Sequence, residues 1–587
     1  MGSRFDVITV ETDVLVIGGG LAGCMAAIKA KEHGGRVTIA EKANTKRSGC
    51  AGTGIDHLWA YVPQIHEKMG WSLDDLVEDH AQGQGHGWIR KDLISLAARE
   101  SFGRILDLER FGIKIRYEDS ELPGKVRLVR QFHSIMSTIN FDGRPLKVKL
   151  TDEAKRRGVN IINRVMVTDL VSTDGHISGA IGVSTRSDEI YFFKAKAVVL
   201  STGRAQRLSR NVTSTDFNFR FPPGETGDGK AIALWAGLTL INMEFFPGTF
   251  FNVGPIQVSF GAPRSSSWPA GSLTTLNGET IVPKTYFTDW SKYLGEGAKK
   301  VDAAERRRKW VKGLKEWPGL NSMHEQGKGP FFLDLTNGTE AEIKYAEWSM
   351  GQEGKGWFFL NNLREHGYDL RRDRVEFYPN NREIASVSSA GVWVDKDLET
   401  DIKGLFCAGD EIGGVPWFAA TGATTTGWHA GDMAAKHAKK QSAFVPTYEE
   451  KLEFLEESSI HIRESKNGIP WKEVEQAMQD IMDFYCGEKR TGQGLRWGLQ
   501  RLTDIKRNVQ MKAENPHELM RCLEVTSLME NAVMIMRSSL QREESRPIPF
   551  EFYRIDFPNQ DDENWFSFLG IKREGAEFKL SKLPIIR

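Results

Sequence analysis

"DVLVIGGGLAGCMAAIKAKEHGGRVTIAEK", residues 13 to 42, reads as strand, tight turn, helix and second strand. The run from Val14 to Ile17 is continuously apolar, as in a parallel strand buried on both faces. Gly18, Gly20 and Gly23 place a GxGxxG at the strand-to-helix junction, and Glu41 closes the second strand 23 residues after Gly18. Glycine lets the backbone approach a diphosphate, and a helix N-terminus offers partial positive charge to it. A carboxylate ending the second strand accepts hydrogen bonds from ribose hydroxyls. GxGxxG alone is a weak signal; between these elements and with this acid it is strong. The expectation is a Rossmann-like α/β unit that holds a dinucleotide.

Outward from this unit, "AVVLSTG" (197–203) and "DIKGLFCAGDEIGG" (401–414) read as further buried strands meeting small-residue turns. The second leads through "VPWFAATGATTTG" into the helical "WHAGDMAAKHAKK". The Trp-, Gly- and Pro-rich stretch between them reads as an inserted domain. From about residue 447 helical apolar spacing dominates, with short Gly or Pro breaks. The expected division is 1–245 and 380–440 for a discontinuous dinucleotide-binding domain and 246–379 for an inserted capping domain. Residues 441–545 would form a helical bundle, and 546–587 an irregular aromatic tail.

Composition narrows the function classes. The 587 residues include 78 Lys+Arg and 78 Asp+Glu, so no basic excess argues for nucleic acid. No apolar run approaches the roughly 20 residues that span a bilayer. The N-terminus enters a strand directly, which leaves no room for a signal peptide and points to the cytoplasm. The five cysteines (Cys24, Cys50, Cys407, Cys486, Cys522) are scattered. They offer no metal site, and an iron–sulfur cluster needs four closely placed ligands.

Taken together, the glycine motif with Glu41, "RSGCAGTG" (47–54), "STG" (201–203), "TGDGKAIALWAGLTLINMEF" (226–245) and "GLFCAGDEIGG" (404–414) resemble the fumarate reductase and succinate dehydrogenase flavoprotein superfamily. "REESRPIPFEFYRIDFPNQDDENW" (542–565) resembles its C-terminal signature. "NTKRSGCAGTG" and the aromatic tail lean toward the adenylylsulfate reductase alpha subunits. The resemblance implies FAD, held by Gly18, Gly20, Gly23, Glu41, Lys42, Arg47, Ser48, Gly49, Cys50, Gly52, Thr202, Gly203, Asp228, Asp410, Glu411, Thr424 and Thr425. It also implies an iron–sulfur electron-transfer partner and a small organic substrate. The loop "RSGCAGTG" lacks the histidine that attaches flavin in the respiratory enzymes, so the expectation is noncovalent FAD, with Cys50 as the alternative point of attachment.

Arg264, in "GAPRSSSWPAG", corresponds to the family's proton-delivering arginine and is the expected catalytic residue. Other substrate-gripping residues are absent. The chain reads "FFPGTFF" at 245–251 and "FAATGATTTG" at 418–427, and Ser388 or a neighbour stands in "SVSSAG" where the family carries histidine. Neutral and aromatic residues (Phe246, Phe250, Trp268, Trp417, Phe418) take their place, which disfavours a small dianion, since charge-assisted pairs are the strong, orienting ones. Three readings stay open: an enzyme component with another organic substrate, a noncatalytic electron-transfer component, and an adenylylsulfate reductase.

Overall fold

A computed structural model describes residues 5–120, 122–129, 133, 135–210, 219, 221–253, 272–282, 323–324, 326–382, 384, 389–416, 418–441 and 448–586. The opening stretch folds as expected into β1 (Asp6–Ile17), α1 (Leu21–Glu32) and β2 (Val37–Glu41). β1 and β2 are parallel, with Val14 opposite Val37 and Ile17 opposite Ala40. Val14 to Ile17 are all buried, which is why this segment carries no polar alternation.

The sheet grows on both sides. β3 (Asn160–Asn163) lies parallel beyond β2. On the other side the strands β4 (Val165–Thr173), β5 (His176–Ser184) and β6 (Glu189–Leu200) form an antiparallel meander, giving the order β3-β2-β1-β6-β5-β4. β6 runs parallel to β1, so Ile17 faces Leu200. After the helix α2 (Asp228–Trp235) and the capping segments, the chain returns as β7 (Leu405–Cys407), which sets Cys407 opposite Leu200. The carboxyl ends of β1, β2, β6 and β7 therefore share one edge, where open α/β sheets bind ligands.

The helix α3 (Ala419–Lys440) packs along α1 through small residues. A Cβ on Gly427 would lie 2.3 Å from the Ala22 carbonyl oxygen, and one on Gly431 2.2 Å from that of Ala26. The glycine and alanine spacing thus lets two helix backbones touch. One uninterrupted helix starts at Ala419, earlier than "WHAGDMAAKHAKK", because Ala, Gly and Thr here are tolerated by burial against α1.

The described part of the capping region contains a five-stranded antiparallel sheet, formed by Gly248–Val253, Val375–Arg382, Phe331–Asp334, Ser272–Thr275 and Thr280–Val282. Helices Glu340–Met350 and Gly354–Glu365 cover its own small core around Phe331, Leu333, Ile343 and Phe359. The C-terminal helices are Glu449–Glu464, Trp471–Tyr485, Gly492–Asn508 and the long, mostly buried α4 (Pro516–Gln541). The tail is more regular than its sequence reads. Phe568–Glu574 and Glu577–Leu583 form a hairpin that joins Leu240–Ile241 in a sheet. Phe550, Phe552 and Phe568 pack with Trp88 and Phe245 in an inward-facing aromatic cluster. Among the described residues no helix is long and apolar enough to cross a membrane.

Candidate functional site

A cavity of ≈ 380 Å³ opens at the shared strand edge. Its floor is Ile17, Gly18 and Gly20 of the glycine turn, with Ala40 and Glu41 of β2 and Ser201 to Gly203 after β6. Gly18 has φ +94°, and a Cβ there would meet the Ser201 carbonyl oxygen at 2.6 Å. Gly23 is held by packing, since its Cβ would lie 1.9 Å from the Gly18 oxygen. Gly20 is different: a Cβ would meet nothing within 4 Å and would project into open space. Gly20 caps α1 without any side-chain hydrogen bond, and no acid occupies the first turn. The first N–H groups of α1 are thus left for an anion.

Glu41 is fixed by two backbone donors: Gly19 N–H gives to Oε2 (2.6 Å) and Ala43 N–H to Oε1 (2.7 Å). A carboxylate accepts about four hydrogen bonds, so capacity remains for a sugar. Beneath the turn the buried Lys147 amine donates to the Gly19 carbonyl and sits 3.1 Å from Cys24 Sγ.

Lys42 links the cavity wall to the helical region. Its amine contacts Asp228 Oδ2 at 2.6 Å and Glu524 Oε1 at 2.7 Å. Glu524, on α4, also pairs with Arg207 and Arg521, and Arg207 pairs with Glu475. Burial opposes ionisation of Glu524, but the Lys42, Arg207 and Arg521 charges hold its carboxyl well below the usual range.

On the loop 47–57, Cys50 Sγ donates to Glu225 Oε2 (3.0 Å). Burial foremost, and the Glu225 charge, raise this thiol well above its ordinary pKa. A thiol so disposed is a poor nucleophile. Beside it, Arg204 Nε donates to Asp410 Oδ2 (2.6 Å), and its guanidinium lies 3.9 Å from the Phe221 ring centre.

Four further residues converge on the same cavity: Asp56, His57, Glu353 and Lys355. Asp56 Oδ1 and His57 Nδ1 are 2.5 Å apart. Glu353 Oε1 lies 3.3 Å from Lys355 Nζ. The capping helix that follows Glu353 is tied to the loop by Gly354 N–H donating to the Thr53 carbonyl (2.7 Å). A Cβ on Gly354 would crowd that oxygen at 2.8 Å, so glycine permits the approach. Burial, with Asp56 nearby, pushes the Glu353 carboxyl up to about 7 against the pull of Lys355. The sequence reading missed this group; the short D-H pair at 56–57 was its only local trace.

Behind the loop, Thr421 Oγ1 donates to the Trp59 carbonyl (2.8 Å). Trp59 packs on two buried histidines, His80 and His133. These share a ring-to-ring hydrogen bond, His80 Nδ1 to His133 Nε2 at 2.9 Å. His80 Nε2 meets the Pro416 carbonyl (2.9 Å) and His133 Nδ1 meets Ser137 Oγ (3.0 Å).

Of the residues expected to hold a cofactor, Gly18, Gly20, Glu41, Lys42, Arg47, Ser48, Gly49, Cys50, Thr202, Gly203, Asp228 and Asp410 line the cavity. Gly23, Gly52, Glu411, Thr424 and Thr425 lie behind it. Gly52 closes the loop tightly against Arg47, its Cβ falling 2.2 Å from the Arg47 carbonyl oxygen. Glu411 is fully buried and accepts from Thr202 N–H (3.0 Å) and Oγ1 (2.6 Å). Thr424 and Thr425 turn their hydroxyls back to the carbonyls of Thr421 and its neighbours, leaving the cavity face of α3 to Ala419, Ala420 and Ala423. Phe246 and Phe418 are buried in the core. Arg264, Trp268, Ser388, Trp417 and the Phe250 side chain lie outside the described residues.

An uncapped helix N-terminus, a glycine open to the cavity and a strand-end carboxylate fit the diphosphate and ribose of FAD, and the α3 N-terminus adds a second partial positive charge. The fold and this cavity define a flavoprotein. Residues 13–258 match the FAD binding domain, and residues 475–586 the fumarate reductase flavoprotein C-terminal domain. The chain is 26% identical over 580 residues to a fumarate reductase (CoM/CoB) subunit from Methanothermobacter marburgensis, covering 93% of this chain and 95% of that one. It is 22% identical to the alpha subunit of adenylylsulfate reductase from Megalodesulfovibrio gigas, covering 98% and 96%. The adenylylsulfate reductase structure from Archaeoglobus fulgidus superposes with a TM-score of 0.83 at 25% identity, over 100% of this chain and 98% of the other. The chain thus resembles the flavoproteins of the fumarate reductase and succinate dehydrogenase superfamily over nearly its whole length and is a FAD-dependent oxidoreductase of that type.

Proposed function

We propose that this chain is the flavoprotein component of a two-component oxidoreductase. It exchanges electrons between an organic substrate other than a small dicarboxylate and an iron–sulfur partner. The observation that carries this reading is the continuity of one cavity, from the glycine turn at Gly18 to the ionisable group at Asp56, His57, Glu353 and Lys355. A site for electron relay alone has no use for acids and bases beyond the cofactor. Bound FAD supplies two-electron exchange with a substrate and one-electron exchange with a partner. Gly18, Gly20, Glu41 and the α1 N-terminus hold its adenosine diphosphate portion, and the 47–57 loop, Gly203, Asp410 and the α3 N-terminus its flavin portion.

The cofactor is held noncovalently, because the one thiol on the loop is protonated and engaged by Glu225. Arg264 stays the proposed substrate-binding or proton-delivering cation. The partner is inferred from electron balance: all five cysteines are free and dispersed, and no metal-holding group occurs among the described residues. Relatives similar to this chain are named as subunits.

The test is anaerobic photoreduction of the purified holoprotein, followed by a screen of organic oxidants. Reoxidation by an organic compound, with fumarate a poor oxidant and succinate a poor reductant, is expected. Efficient fumarate turnover would overturn the substrate reading, and an iron-free, single-component protein on gel filtration of native material would overturn the partner.

A further inference from the structure

The Asp56, His57, Glu353 and Lys355 group joins two segments nearly 300 residues apart, one on the flavin-side loop and one on the cap. Asp56 is 2% exposed, and its carboxylate reaches both His57 Nδ1 and Ser349 Oγ (3.4 Å), so it fixes the imidazole ring. Asn140 Nδ2 donates to the Asp56 carbonyl (3.2 Å), which pins the loop behind the ring. Glu353 is 9% exposed and enters from the cap beside Lys355. Among the described residues, the other charged groups on this part of the wall are Arg47 on the same loop and Arg204, Glu225 and Asp410 around it.

We propose that His57, aligned by Asp56, transfers protons to and from the organic substrate through Nε2, and that Glu353, positioned by Lys355, resupplies them. This deepens the reading of the chain as an oxidoreductase with an organic substrate and rests on it. For reduction of a carbon–carbon double bond, the π bond breaks and two C–H bonds form. Bound reduced FAD would supply a hydride, that is two electrons with one proton, and His57 supplies the second proton. His57 regains that proton from the Glu353 carboxyl, which recovers it from solvent; the sum is two electrons and two protons. A carboxyl that changes protonation near neutral pH suits this resupply. Asp56 holds the ring tautomer with its proton bookkeeping unchanged, as an orienting carboxylate does.

The experiment uses photoreduced holoprotein in anaerobic stopped flow, with two kinds of oxidant. Ferricenium takes single electrons and needs no proton at carbon. Crotonate, cinnamate and 2-cyclohexenone need one. His57→Gln is expected to lose about 100-fold or more toward any of these that oxidises the wild type, a typical share for acid–base catalysis. Its ferricenium rate per bound FAD should fall far less than its organic rates, and its visible spectrum should still be that of bound flavin. Any shift of the wild-type flavin absorption spectrum with pH near 7 should be absent in Glu353→Gln, and its persistence there would remove Glu353 from the proposal. Equal organic rates in His57→Gln and wild type, or a parallel loss toward ferricenium, would overturn the proposal while leaving the oxidoreductase reading in place. Wild-type reoxidation by ferricenium but by no organic compound would remove that reading and this proposal with it.

Discussion

Lowering the pH from 7.5 to 5.5 will destabilise this chain through His80 and His133. Both rings are buried and joined in a single line of hydrogen bonds from Ser137 to the Pro416 carbonyl. Burial foremost pushes both down to about 3, with the neighbouring histidine adding to it for His80. An unfolded histidine titrates near 6.5. Between roughly pH 6.5 and 3 the unfolded chain binds protons that the folded chain refuses, so stability falls as pH falls through that window. At pH 5.5 each unfolded histidine is about ten to one protonated, worth about RT ln 11, or ~1.4 kcal/mol; at pH 7.5 it is worth under ~0.1 kcal/mol. That figure hardly depends on the folded value, provided it lies below about 4.5. The pair thus contributes about 2.8 kcal/mol of acid sensitivity. His133→Gln keeps a donor and an acceptor on the same line and removes one titrating group. Urea unfolding followed by tryptophan fluorescence, at both pH values, reads the difference; Trp59 packs on both rings. The loss from pH 7.5 to 5.5 should shrink by about 1.4 kcal/mol in the variant, with the other histidines cancelling. An unchanged loss would refute the argument that the pair is neutral because it is buried.

Other expectations are simpler. Acid or heat denaturation should release intact FAD into the supernatant; yellow colour that stays with the precipitated polypeptide would point to Cys50 as its attachment. Gly20→Val should keep its melting temperature without cofactor yet lose FAD, because its side chain enters the cavity. Gly23→Val should lose the folded state itself, because it collides with the Gly18 carbonyl; similar stability in the two variants, measured without FAD, would contradict the distinction. Glu524→Gln leaves Lys42 and Arg207 short of a buried counter-charge and should cost about 3–5 kcal/mol in urea unfolding; a loss under about 1 kcal/mol would show the network to be dispensable.

The nucleotide half of the site was legible because its determinants are local. A buried strand, a glycine turn and a helix lie within 30 residues, and each leaves its own period in the sequence. Glu41 was legible from spacing alone. Thr424 and Thr425 read equally well as cofactor contacts, but a helix places neighbours 100° apart, and burial gave the cavity face to Ala419, Ala420 and Ala423. Glu353 and Lys355 were illegible for a different reason. What brings them to His57 is a set of bonds between remote segments, among them Ser349 to Asp56 and Gly354 N–H to the Thr53 carbonyl past a glycine small enough to approach it, which no local pattern encodes. The tail misled through composition: its aromatic residues read as irregular, yet they fill a cluster around Trp88 that only exists once the chain is folded.

The late arrival of β7 has a consequence for biosynthesis. β6 ends at Leu200 and its sheet neighbour begins at Leu405, so one edge of the parallel sheet waits for 405 − 200 = 205 residues to emerge. At roughly 5–20 residues per second that interval is on the order of 10–40 s. Throughout it, Val198 to Leu200 expose backbone donors and acceptors to any other strand. A nascent chain stalled within the cap would present that sticky edge without α3 to cover it.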